Sequence, residues 1–138
     1  MKHYILNVKT AGEGDVIDIT RDVGKFLSES GMSDGIANIF CEGSTAAITT
    51  IEYEPGVLED LKRALNVIAP SGAVYKHDLA WGDGNGRSHV RAAIIGPSLT
   101  VPFSENSLLL GTWQQIVLLE LDIRDKRSRK VHCTFTGE

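Results

Sequence analysis

A chain of 138 residues and 15.0 kDa, 42% apolar and 23% charged, has the composition of one compact domain. It is too short for a (β/α)8 barrel at ~250 residues, and no apolar run nears the roughly 18 residues of a membrane span. A net charge of −4 argues against nonspecific nucleic-acid binding, and the opening residues carry no signal-peptide pattern, so a cytoplasmic location is expected. No repeat or linker divides residues 1–138, which are expected to form a single domain.

The first strand alternates through Tyr4, Leu6 and Val8, turns at Gly12-Glu13-Gly14 and continues as Val16 to Ile19. Thr20 is expected to cap a helix with Val23, Phe26 and Leu27 on one side, ended by Gly31. Gly35 to Cys41 and Ala46 to Glu52 have strand character. Pro55 opens a helix whose apolar stripe is Val57, Leu58, Leu61, Leu65 and Ile68, and Pro70 stops it. Residues 77–87 are expected to be a Gly/Asp-rich loop. Ser88 then caps a short helix to Ile95, stopped by Gly96-Pro97. Four strands follow: Leu99 to Phe103, Ser107 to Gly111, Gln114 to Asp122 and Arg129 to Phe135. The sum is an α+β fold with largely antiparallel sheets and two to three helices.

Several functions are excluded by missing motifs. There is no GxxxxGK or GxGxxG, and Asp83 to Ile94 lacks both the sixth-position Gly and the twelfth-position Glu of a calcium loop. Cys41 and Cys133 form no CxxC and are expected to be buried free thiols, with a catalytic Cys41 the alternative. The basic run Arg124, Lys126, Arg127, Arg129, Lys130 fits a solvated hairpin tip, with an RNA or phosphate contact as the alternative. Trp113 is expected to pack on a cleft floor, and Asp60 to be solvated.

Polar chemistry concentrates in His77, Asp78, Asp83, Asn85, Arg87, Ser88, His89 and Arg91. If the intervening segment folds back, His77 and His89 converge with Asp83 into a set suited to a divalent ion such as zinc or magnesium. The bland alternative is a hydrogen-bonded His77 and a His89 that only begins a helix. Arg87 and Arg91, with Gly86, Ser88 and the free amides of a helix start, could instead hold a phosphate or carboxylate. Glu52, a carboxylate in an apolar strand, either points outward or is paired.

Four motifs in order, Gly43-Ser44-Thr45-Ala46-Ala47-Ile48-Thr49, Tyr75-Lys76-His77-Asp78, Ser88-His89-Val90-Arg91-Ala92 and Leu110-Gly111-Thr112-Trp113-Gln114-Gln115-Ile116, resemble the YjbQ family. Its archaeal-type branch is the most similar, and the likeness runs from about Ile19 to the end. That family carries the label secondary thiamine-phosphate synthase. The resemblance implies a compact α+β homotrimer with clefts between subunits and a site built on His77, His89, Glu52 and Gln114, with Thr45 and Asp83 nearby. Two departures stand out: Gly43 replaces a histidine of most relatives, and Arg87 replaces a histidine of the nearest branch. The reaction implied joins an aminopyrimidine methyl diphosphate to a thiazole phosphate and expels pyrophosphate. Arg87, Arg91 and Thr45 would then bind phosphate, His77 or His89 exchange protons, Asp83 and Glu52 hold a divalent ion, and Gln114 orient substrate. The alternatives are a metal-dependent phosphoester hydrolase or lyase, and a trimeric, non-catalytic binder of a phosphorylated ligand or a metal.

Overall fold

The computed structural model describes residues 1–138 and orders them into eight strands and four helices. These are β1 (Lys2–Thr10), β2 (Val16–Asp18), α1 (Thr20–Ser30), β3 (Gly35–Cys41), β4 (Ala46–Ile51) and α2 (Pro55–Ile68). They continue as α3 (Lys76–Trp81), α4 (Gly86–Ile95), β5 (Ser98–Ser104), β6 (Ser107–Leu108), β7 (Gln115–Glu120) and β8 (Arg127–Gly137). A five-stranded sheet, ordered β1-β8-β3-β5-β6, lies against a three-stranded sheet, β2-β7-β4. Every strand pairing is antiparallel, as the short connections required.

Strand β7 explains the layering. Ile116 and Leu118 point into the main core with Ile39, Val131, Phe135 and helix α1 residues Val23 and Leu27. Val117 and Leu119 point the other way, onto Leu65 of α2 and Ala92 of α4. A strand buried on both faces must be apolar on both, which is why Ile116 to Leu119 is an unbroken apolar run rather than an alternating one. The opposite face of the large sheet carries no such layer: Ile5, Ile36 and Phe40 remain 45%, 48% and 39% exposed there. No helix is long and apolar enough to cross a membrane.

Several local expectations need correction. There are four helices rather than two to three, because residues 76–81 wind into α3 within the expected loop. Helix α4 starts two residues early, at Gly86, and Asn85 rather than Ser88 is its N-cap residue. Thr20 is the first residue of α1, not its cap; its hydroxyl instead accepts from the Ile116 amide at 2.8 Å. Gly31 does end α1, with φ at +71°. In α2 the Glu54 carboxylate accepts from the Gly56 and Val57 amides, a cap the sequence reading omitted, and Pro55 sits where its missing N–H costs nothing. Of its stripe only Leu65 is fully buried, and Ile68 is 56% exposed. Trp113 does not pack on a cleft floor; it is 72% exposed.

Candidate functional site

Two turns bring the histidines together. Helix α3 ends on Gly82 in the left-handed conformation, which sends the chain back so that Asp83 faces His77 from the start of α4. His77 Nε2 lies 3.1 Å from one Asp83 carboxylate oxygen and 3.2 Å from the other. The His77 and His89 ring centroids are 4.5 Å apart. One ligating atom from each of His77, Asp83 and His89 fits within 4.8 Å of the others. Both rings are half-buried, and the His89 imidazole makes no hydrogen bond within the chain.

Asn85 is what holds this geometry, and the sequence reading named it only in passing. Its backbone amide donates to Asp83 Oδ1 at 3.0 Å, and its carbonyl accepts from the His89 amide at 3.1 Å. The side chain is buried: Nδ2 donates to Asp122 Oδ1 at 3.3 Å, and Oδ1 accepts from Ser88 Oγ and from the Ile123 amide. One residue thus ties two of the three clustered side chains to the β7–β8 connection. The Asn85 amide, ahead of His77, holds the Asp83 carboxyl below the usual carboxylate range. Asp83 is therefore an anion at neutral pH.

A cavity of about 280 Å³ opens beside His89, walled by Gly43, Ser44, Ala46, Ala92, Ala93 and Pro97. Gly43 stands in this wall, and a Cβ there would meet Arg129 Nη1 at 3.0 Å rather than His89. With φ at +110°, Gly43 holds a conformation that other side chains adopt only under strain.

The expected phosphate-binding groups lie elsewhere or are already engaged. Arg87 and Arg91 are two residues to either side of His89, about 200° around the helix, so they project from the opposite face of α4. Both meet Glu13: Arg87 through two bonds of 3.0 and 2.7 Å, Arg91 at 3.4 Å. Arg91 also donates twice to the Ala69 carbonyl, at 3.0 and 2.7 Å. The Gly86 amide donates to Asp78 Oδ1, and Ser88 Oγ to Asn85. Thr45 is buried between Asp122, to which it donates at 3.0 Å, and Arg129, from which it accepts at 2.9 Å.

Glu52 and Gln114 have no hydrogen bond or ion pair with His77, Asp83 or His89. Glu52 is exposed just past β4. Gln114 accepts from the Gly111 amide and donates to Thr50 Oγ1, lining a separate cleft of about 360 Å³ with Thr50, Leu99 and Leu110.

The basic run is not uniformly a solvated tip. Arg124, Lys126 and Lys130 are exposed, but Arg129 is 3% exposed and pairs with Glu120, itself fully buried. Arg127 pairs with the buried Asp122. Burial works against the Asp122 anion, yet hydrogen bonds from Arg124, Thr45 and Asn85 and the Arg127 charge outweigh it and lower its pKa. Cys41 and Cys133 are buried free thiols, as expected, and burial pushes Cys41 up to about 11 and Cys133 to about 12. A thiol at that value is not a nucleophile at neutral pH.

Fold and site together define a small two-sheet α+β domain with an open imidazole–carboxylate cluster at a helix–turn–helix edge. The family model described as UPF0047 protein YjbQ-like matches residues 4–138, and the chain belongs to that family. A UPF0047 protein of Methanothermobacter thermautotrophicus is 38% identical over 133 residues, covering 96% of this chain and 90% of that one. The UPF0047 protein YugU of Bacillus subtilis is 37% identical over 134 residues, covering 96% and 97%. Among solved structures, hypothetical protein APE1520 of Aeropyrum pernix superposes with a TM-score of 0.90 at 33% identity, covering all of both chains. A YbjQ-like protein of unknown function from Sulfolobus solfataricus gives 0.85 at 34% identity, covering 99% of each.

Proposed function

We propose that His77, Asp83 and His89 hold a divalent metal ion, and that the chain is a cytoplasmic enzyme using this centre on small phosphorylated metabolites. The observation that carries the reading is the convergence of two imidazoles and one anionic carboxylate within 4.8 Å, with His89 lacking any other partner. Two nitrogens and one oxygen suit zinc better than magnesium, which prefers oxygen ligands and retained water. Three protein ligands leave a fourth position open, the pattern of catalytic rather than structural zinc. When bound there, the ion would supply Lewis-acid stabilisation of a developing negative charge.

The particular reaction in this reading is the one the sequence resemblance implies: transfer of an aminopyrimidine methyl group from diphosphate to the nitrogen of a thiazole phosphate. The bond from carbon to the diphosphate oxygen breaks, a carbon–nitrogen bond forms, and pyrophosphate leaves. The 280 Å³ cavity walled by small residues beside His89 supports entry of a flat ring there. His77 and His89 would hold the ion or, in its absence, exchange protons, since imidazole does so near neutral pH. Glu52 and Gln114 enter this reading from a neighbouring subunit of a homotrimer. The exposure of Trp113, one residue before Gln114, supports a neighbour at that edge.

One observation favours a second reading, a metal-binding protein without turnover. Arg87, Arg91, Ser88, Gly86 and Thr45 all donate to partners inside the chain, so the expected phosphate-binding groups are engaged away from pyrophosphate. The test is pyrophosphate release from the two substrates with zinc or magnesium added. Turnover that falls 100-fold or more in His89→Ala, with an unchanged circular dichroism spectrum, supports the enzyme. Metal binding without any product supports the second reading.

A further inference from the structure

The uncovered face of the large sheet carries a second histidine constellation, remote in sequence from the first. His3 on β1 and His132 on β8 are diagonal neighbours across the paired strands, since His132 opposes Ile5 and His3 opposes Thr134. His3 Nε2 lies 2.8 Å from His132 Nδ1, and the rings are nearly parallel with centroids 5.0 Å apart. The far nitrogen of the same ring, His132 Nε2, is 2.6 Å from Glu42 Oε1. That contact is the foremost cause holding the Glu42 carboxyl below its ordinary value.

We propose that His3 and His132 form a second chelating site for a first-row divalent ion such as zinc, with Glu42 fixing the ring that receives it. The argument starts from the tautomer. A carboxylate accepts only, so the His132 proton facing Glu42 sits on Nε2, and in the neutral ring Nδ1 presents a lone pair toward His3. Histidines that bind metal commonly have a carboxylate on the other ring nitrogen in just this way, which orients the ring and raises its basicity. Two imidazole nitrogens sharing a tetrahedral ion stand about 3.3 Å apart, so a small opening of the 2.8 Å contact admits one. His3 then moves its proton from Nε2 to Nδ1, and no proton is lost overall. Both histidines sit on paired strands of the sheet rather than on loops, so the pair is pre-organised. Water fills the remaining positions, because Glu42 is committed to the other nitrogen.

The site is independent of the His77 cluster, and zinc titration by calorimetry separates them. The wild-type chain is expected to take two ions. His77→Ala/His89→Ala is expected to keep one, and His3→Ala made in that background to lose it. Glu42→Gln is expected to weaken this ion 10- to 100-fold while leaving the other unchanged. Failure of the His77/His89 variant to bind zinc overturns the proposal, as does zinc binding in that variant indifferent to His3→Ala. The His3→Ala/His132→Ala protein reports on the first centre alone, so the failure of one site is not mistaken for failure of the other.

Discussion

Two polar clusters meet at Asn85, and they contrast sharply. On one side Glu120, Arg129, Thr45 and Asp122 are buried and Arg127 is partly so, and no buried side-chain polar atom is left without a hydrogen-bond partner. On the other, His77, Asp83 and His89 are reachable from solvent, and the His89 ring makes no hydrogen bond within the chain. A saturated buried network fixes the position of strands and has nothing left to offer a ligand. An unsaturated cluster held rigidly from behind has ligand positions to give. Asn85 belongs to both, with its side chain in the first and its backbone in the second.

That division is broken or sharpened most strongly at the buried pair. Arg129→Ala leaves the Glu120 charge uncompensated in the core, and a loss of about 3–5 kcal/mol in denaturant unfolding is expected. A small loss would mean that water enters the network. Asn85→Ala comes next, with about 1–3 kcal/mol lost from the buried partners it abandons. Zinc affinity at His77/His89 is also expected to fall 10- to 100-fold in that variant although every ligand remains. Unchanged affinity would separate the two clusters.

Acid sharpens the contrast from the other direction. The Asp122 pKa is lowered by folding, so its contribution is complete above the ordinary carboxylate value of about 4 and is lost progressively as pH falls from there through the lower folded value. Asp122→Asn removes this dependence, and its stability is expected to flatten below about pH 4 relative to wild type. The smallest effect belongs to Arg87→Ala: a partly exposed ion pair with Glu13 is worth at most about 1 kcal/mol. A much larger decrease in affinity for the phosphorylated substrate would return Arg87 to the site.

Much of this was legible in the chain itself. Alternation marked β1 and β8, and Pro55 with the Leu65 stripe marked α2, because burial on one side imposes a period. Helix α3 escaped because its six residues leave Leu79 and Trp81 more than three-quarters exposed, so no apolar stripe exists to detect. The convergence of His77 with His89 was anticipated from the turn-rich segment between them. The placement of Arg87 and Arg91 was not: proximity in sequence suggested one pocket, whereas helical rotation sends them to the far side of α4. The Glu120–Arg129 pair left one usable trace, a carboxylate in phase with Ile116 and Leu118 at the end of a buried strand. An ionic group at a core-facing position has to be paired.

The role of His77, Asp83 and His89 is most directly measured by X-ray absorption at the zinc edge on metal-loaded His3→Ala/His132→Ala protein. Two imidazole nitrogens and carboxylate or water oxygen at about 2.0–2.1 Å are expected, with one imidazole lost when His89→Ala is added. A zinc shell of oxygen alone, or one that does not change on removing His89, would contradict a metal centre there.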